Sequence, residues 1–153
     1  MTADELNSVI VRAKAATYVG GGTRSAPSRL GAHDLGWTDG EWRYLDSYFG
    51  GTDFLGQEVL WRGHEPVWAM NYYGYVLRPD LIDGERAGAT IKPALTALYQ
   101  EGRFLGGFAW NGPHGVYVDT NRGGPEQFRG REVIRVDGVE AYALDYFGGL
   151  VKG

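Results

Sequence analysis

Two spacings of apolar residues divide this chain into elements. Leu6, Val9, Ile10 and Ala13 recur at helical spacing, and Thr2 with Glu5 has the spacing of a capping box, so residues 4–17 are predicted to form a first helix. Gly20, Gly21 and Gly22 stop it, because three glycines cannot sustain a helix. Residues 23–40 are polar and glycine-containing and are expected to be a loop, which carries Ala32-His33-Asp34-Leu35-Gly36-Trp37. The spacing then changes to two. Residues 41–49, 54–62 and 67–76 are predicted strands joined by turns at Gly50-Gly51 and Gly63-His64. In the first strand Trp42, Tyr44, Asp46 and Tyr48 share one face, and Arg43, Leu45, Ser47 and Phe49 share the other. Gly56 marks a bulge or a close approach of another group.

The second half follows the same plan. Residues 78–89 are expected to be an irregular crossover. Thr90 is a candidate cap for a second helix, with Pro93 in its first turn, Ile91, Leu95 and Leu98 on one side and Gly102 at its end. Strands are predicted near 116–121, 127–136 and 140–147, and Asp137-Gly138 is a strong hairpin turn.

The likeness of the halves extends to residues. Tyr44, Asp46, Gly50 and Gly51 align with Tyr117, Asp119, Gly123 and Gly124. After a one-residue insertion, Phe54, Gly56, Glu58, Val59, Ala69, Tyr72 and Gly74 align with Phe128, Gly130, Glu132, Val133, Ala143, Tyr146 and Gly148. Tyr18 and Tyr99 stand at similar places near the two helix ends. The expected fold is therefore α+β, an internally duplicated αβββ-αβββ chain with pseudo-repeats at about 4–77 and 90–151 in one domain. The simplest arrangement is one antiparallel sheet with both helices packed on it, and two separate three-stranded layers are the alternative. Runs apolar on both sides, such as Val67-Trp68-Ala69-Met70, suggest that much of the second face is also covered.

Composition narrows the function classes. The chain has 153 residues, 43% hydrophobic and 22% charged, which are globular values. Its formal net charge is −4, which disfavours a duplex-binding surface. It has no cysteine, so disulfides, thiolate metal sites and cysteine nucleophiles are excluded. The N-terminus does not read as a signal peptide, and no window approaches the ~20 apolar residues of a membrane-spanning helix. The expectation is a soluble cytoplasmic protein with no nucleic-acid or membrane partner.

Little of the remaining sequence carries recognisable chemistry. The glycine run at 20–22 lacks the preceding strand and the Lys-Ser/Thr pair of a phosphate loop. His33, His64 and His114 show no metal-ligand spacing, and no cofactor motif is present. No Gly-x-Ser-x-Gly occurs. His33 and Asp34, adjacent in the long loop, cannot orient each other, so a partner such as Asp46 or Asp145 would have to come from elsewhere. Their plainer role is a hydrogen-bonded loop anchor. Trp68, Met70 and Tyr72 share one face of the third strand, where Met70 and Tyr72 are expected to be buried. Asn71 and Tyr73 share the other, repeated by Asp145 and Phe147. Polar groups among aromatics suit either a small-ligand pocket or a core whose hydroxyls and amides satisfy one another. If the halves pack side by side, Asn71 and Asp145 flank one pocket, closed by the loop of His33 and Asp34. The candidate ligand-binding residues are then His33, Asp34, Asp46, Asn71, Tyr73 and Asp145.

The runs Ala13-Lys14-Ala15-Ala16-Thr17-Tyr18, His33-Asp34-Leu35-Gly36-Trp37, Tyr44-Leu45-Asp46, Val67-Trp68-Ala69-Met70-Asn71-Tyr72-Tyr73-Gly74 and Gly148-Gly149-Leu150 resemble a bacterial family known as a domain of unknown function, found alone or behind a helix-turn-helix domain. The resemblance spans nearly the whole chain and implies a domain family without an assigned activity. Because helix one begins almost at Met1, no DNA-binding module is expected in front of it. Three function classes stay open: a non-enzymatic small-molecule-binding or sensor module with an aromatic-lined pocket, a protein-interaction module, homodimeric or otherwise, and a hydrolase-like enzyme using His33 with a carboxylate.

Overall fold

The computed structural model describes residues 1–24 and 26–153. The first helix, α1 (Ala3–Lys14), opens with the predicted capping box: the Glu5 amide donates to Thr2 Oγ1 at 3.2 Å and the Thr2 amide to Glu5 Oε2 at 2.8 Å. The helical path continues beyond Lys14 as a wider π-helical turn, Ala15–Val19, before the glycines end it. Strands β1 (Thr23–Arg24), β2 (His33–Asp39), β3 (Trp42–Gly50), β4 (Phe54–Arg62) and β5 (Glu65–Val76) follow. The second half contains α2 (Gly84–Gln100), β6 (Phe108–Gly112), β7 (Gly115–Gly124), β8 (Gln127–Val136) and β9 (Val139–Leu150).

Two expectations are corrected here. The segment carrying His33 and Asp34 is strand β2, not a loop; it pairs antiparallel with β3, His33 opposite Tyr48 and Asp34 opposite Ser47. With β6 as its counterpart, each half is one helix and four longer strands rather than three. Helix α2 also starts six residues before Thr90. Asp83 caps it, accepting from the Arg86 amide at 2.8 Å, while Thr90 is buried mid-helix and donates to the Arg86 carbonyl at 2.9 Å. Gly84 and Gly88 conceal this first turn in the sequence, because glycine is a poor helix former. Pro93 accordingly lies inside the helix.

Among the described residues nine strands form one antiparallel sheet in the order β1-β2-β3-β4-β5-β9-β8-β7-β6, so the two-layer alternative is not adopted. Apart from the short β1 edge, the order is the same from either end inward to the central pair β5–β9. There Tyr72 lies opposite Tyr146, flanked by Asn71 opposite Phe147 and Tyr73 opposite Asp145. The aligned tyrosines of the repeated sequence thus meet at the middle of the sheet.

The helices cover one face of the sheet. Leu6, Val9, Ile10 and Ala13 of α1 and Ala87, Ile91 and Ala94 of α2 join one core with Tyr44, Leu60, Trp68, Tyr117, Ile134 and Tyr142 from the inward strand positions. Leu55, Tyr73 and Phe147, at outward positions of β4, β5 and β9, are 54%, 45% and 55% exposed. Among the described residues no helix is long and apolar enough to cross a membrane.

Candidate functional site

The inward strand positions carry more than apolar residues. Asp46 lies directly opposite Glu58 across β3 and β4, and Asp119 directly opposite Glu132 across β7 and β8. Each half therefore places two carboxylates side by side on the covered face, an arrangement that is repulsive when both are ionised. All four are buried.

Tyrosines hold these carboxylates in place, and the glycines of the repeat make that possible. Tyr72 on β5 faces Gly56 on β4, and its ring crosses the glycine to donate to Asp46 Oδ1 on β3 at 2.6 Å. Tyr146 on β9 crosses Gly130 on β8 in the same way and donates to Asp119 Oδ1 at 2.7 Å. A Cβ at Gly56 or Gly130 would collide with the phenol ring lying over it. Tyr44 donates to Glu58, and Tyr117 to Glu132. Burial and the neighbouring carboxylates push the phenols of Tyr72 and Tyr146 up, which keeps them protonated as donors.

Between this face and the helices lies a cavity of about 320 Å³. All four carboxylates reach it, walled by Phe54, Ile91, Leu95, Phe104 and Leu144. Tyr18, on the π-helical turn and 37% exposed, stands at its edge with Gly51 and Gly88. Tyr142 also lines it; this residue is 1% exposed, and among the described residues its hydroxyl has no hydrogen-bond partner.

The two halves differ in charge. Lys14, at the end of α1, reaches Glu58 with Nζ 2.7 and 3.0 Å from its two carboxylate oxygens and 3.3 Å from Met70 Sδ. It stands four residues before Tyr18. Four residues before Tyr99, the helix of the second half has Leu95. Among the described residues the Asp119–Glu132 pair consequently has no lysine in hydrogen-bond contact, although the Lys14 charge still pulls both acids down. Burial, reinforced by the charge of Asp119, pushes Glu132 up to about 8, and burial raises Asp119 to about 6. Burial raises Asp46 too, against the opposing pull of the Tyr72 hydrogen bond and the Lys14 charge.

A family model for a domain of unknown function, DUF5680, matches residues 46–151, more than half of the chain. The chain belongs to the DUF5680 family. The matched segment includes all four cavity carboxylates and Tyr142; Lys14 and Tyr18, which complete the cavity from the α1 side, precede it. No curated protein and no solved structure matches this DUF5680 chain.

Of the six residues singled out from sequence, the structure brings Asp46 alone into the cavity. Asn71, Tyr73 and Asp145 occupy the opposite face, because Tyr72 and Tyr146 point inward and their neighbours must point outward. There Asn71 accepts from Gln57 at 3.0 Å, Tyr73 stacks on Tyr75 with centroids 5.2 Å apart, and Asp145 pairs with Arg131 at 2.8 Å. Asp34 is an anchor for the chain before β2, accepting from Ser47 Oγ at 2.6 Å and the Ser28 amide at 2.8 Å. His33 is exposed, with its ring 5.1 Å from that of Tyr48. Asp46 and Asp145, its expected partners, are engaged by Tyr72 and Arg131.

Sequence reasoning missed Lys14, Glu58, Asp119, Glu132 and Tyr142. The available signal was the repeat itself, which carries Asp46 and Glu58 over into Asp119 and Glu132 at strand positions otherwise occupied by aromatics. Among the described residues no group of three or more His, Asp or Glu side chains is placed to hold a metal ion.

Proposed function

We propose that this DUF5680 protein is a non-enzymatic module that binds a small molecule in the cavity between its helices and its sheet. The observation that carries this reading is the buried Tyr142 hydroxyl, which lines the cavity and has no hydrogen-bond partner among the described residues. A buried polar group left unpaired costs free energy, and a ligand that bonds it recovers that cost. Apolar and aromatic walls with a few convergent polar groups are the usual make-up of such sites.

Thermal melts against a metabolite library test the reading, with Gly88→Phe as the control. No atom lies within 4 Å of where a Cβ would stand on Gly88, so the ring has room at the cavity edge, and losing glycine from a helix favours folding. Ligand-dependent stabilisation of the parent that disappears in Gly88→Phe supports the module. Stabilisation that persists in the variant, or none in the parent, counts against it.

A second reading rests on the outer face. Leu55, Tyr73 and Phe147 stand on the adjacent strands β4, β5 and β9 and form an exposed apolar patch suited to a protein partner or a second copy. Light scattering of the parent and of Tyr73→Ser/Phe147→Ser checks for self-association through it.

A further inference from the structure

The two halves place the same pair of acids in the cavity, but among the described residues only one pair has a basic side chain in hydrogen-bond contact. Asp46 and Glu58 have Lys14, which bonds Glu58 from 2.7 Å. Asp119 and Glu132, the equivalent cross-strand pair, share the cavity lining with Leu95, which holds the equivalent helix position four residues before Tyr99. Among the described residues Glu132 accepts from Tyr117 alone and Asp119 from Tyr146 alone, and both donors are neutral phenols. Tyr142 lies on β9 beside β8, where it is opposite Ile134, two residues from Glu132 on the same face. Its hydroxyl, which has no hydrogen-bond partner among the described residues, lies over Gly74 of β5 beside the Phe54 ring and lines the same cavity from the side of the first half.

From this asymmetry we infer that the pocket takes an organic cation, a primary ammonium or amidinium on an aromatic or aliphatic body, whose charge sits at Asp119 and Glu132 where Lys14 has no counterpart. The inference rests on the pocket reading and specifies its ligand class. An ammonium group donates to the two carboxylates, while the Tyr142 hydroxyl, elsewhere in the same cavity, is left for the body that carries it. An anion would meet four carboxylates and one lysine already engaged. Tyr99, Phe104 and Tyr146 line the same cavity and suit the aromatic or aliphatic body that carries the charge, the Phe104 ring already having Lys14 Nζ 5.6 Å from its centroid. In the empty protein the unmatched pair keeps a proton, and an arriving cation displaces it, so binding releases protons at neutral pH. The groups that share this titration are Asp119 and Tyr117 on β7, Tyr142 and Tyr146 on β9, Glu58 on β4, Asp46 on β3, Lys14 on α1, Tyr99 on α2 and Arg103 just after it.

Titration calorimetry of the whole chain at pH 8 and low salt, with three probes of one shape, tests the inference. The probes are tryptamine, the neutral tryptophol and the anionic indole-3-propionate. Tryptamine is expected to bind at least about tenfold more tightly than tryptophol, with indole-3-propionate weakest. Glu132→Gln keeps the shape and the acceptor for Tyr117 and is expected to bring tryptamine down to the tryptophol level. Leu95→Lys, which would supply the missing cation, is expected to lower the affinity for tryptamine more than that for tryptophol. Asp145→Asn, on the outer face, should change nothing. Equal affinity for tryptamine and tryptophol, both abolished by Gly88→Phe, would sink the cation and leave the pocket standing. Tryptamine binding undiminished in both charge variants overturns the assignment of the site, and binding of none of the three overturns the ligand class. Stabilisation by calcium chloride but not by tryptamine would mean that the acids serve a metal ion, which also overturns it.

Discussion

The Tyr72 hydroxyl donates to Asp46 across the full width of strand β4, and it does so over Gly56. Any side chain at position 56 would occupy the space of the phenol ring. Gly56→Ala is therefore expected to destabilise the protein by ~1–3 kcal/mol, the usual range for overpacking. Adding Tyr72→Ala should cost less than the sum of the two single changes, because the clash disappears with the ring. Gly130 and Tyr146 should behave alike. Urea melts of single and double variants measure this, and full additivity would show that ring and glycine do not meet.

Lys14 is the buried cation that keeps one pair of acids tolerable. Lys14→Met leaves Glu58 buried without its partner, so a loss of ~3–5 kcal/mol is expected. Lys14→Met with Glu58→Gln should recover most of it, since neither charge then remains to be compensated. A double variant as unstable as the single would show that the lysine contributes through packing instead.

Stability should fall as pH rises towards 8. An unfolded glutamate ionises near ~4.3, whereas Glu132 in the folded protein holds its proton up to about 8. Between those values the unfolded chain binds fewer protons than the folded one, which makes the slope of stability with pH negative. Asp119, raised to about 6, adds to the lower part of the window. Glu132→Gln removes its share, so the variant's urea midpoint should decline less between pH 5 and 8. Parallel pH profiles for the variant and the parent would refute this origin.

Substitutions on the two faces of β5 should separate sharply. Met70 is buried against the Lys14 ammonium, and Met70→Ala is expected to cost ~2–5 kcal/mol. Asn71→Ala and Asp145→Ala, on the other face, should each cost no more than ~1 kcal/mol, because exposed polar pairs contribute little. Denaturant midpoints compare the three, and a large loss at Asp145 would show that its pairing with Arg131 is structural.

The sequence by itself determined the local elements. The Thr2–Glu5 capping box, the two-residue spacing from Trp42 to Val76 and its recurrence after Gly115, and the turns at Gly63 and Gly138 are written in neighbouring residues, whose sterics and hydrogen bonds do not depend on distant parts of the chain. It also placed Asn71 and Tyr73 on one face and Met70 and Tyr72 on the other. It pointed to the Met70 and Tyr72 face as the buried one, but not to the consequence that Asn71, Tyr73 and Asp145 then lie outside the cavity. An alternation of period two is the same pattern whichever side is buried, and both sides of β5 carry aromatic and polar groups. Strand β2 was hidden for a related reason: it lies near the sheet edge with a burial pattern set by its partner β3 and by the chain before it, so its own residues show little periodicity. The carboxylate pairs are a purely tertiary fact. Asp46 and Glu58, or Asp119 and Glu132, are more than ten residues apart in sequence and become neighbours only when antiparallel register sets them opposite each other. Which pair receives a direct ionic partner is likewise decided by packing, which brings Lys14 Nζ to 2.7 Å from Glu58.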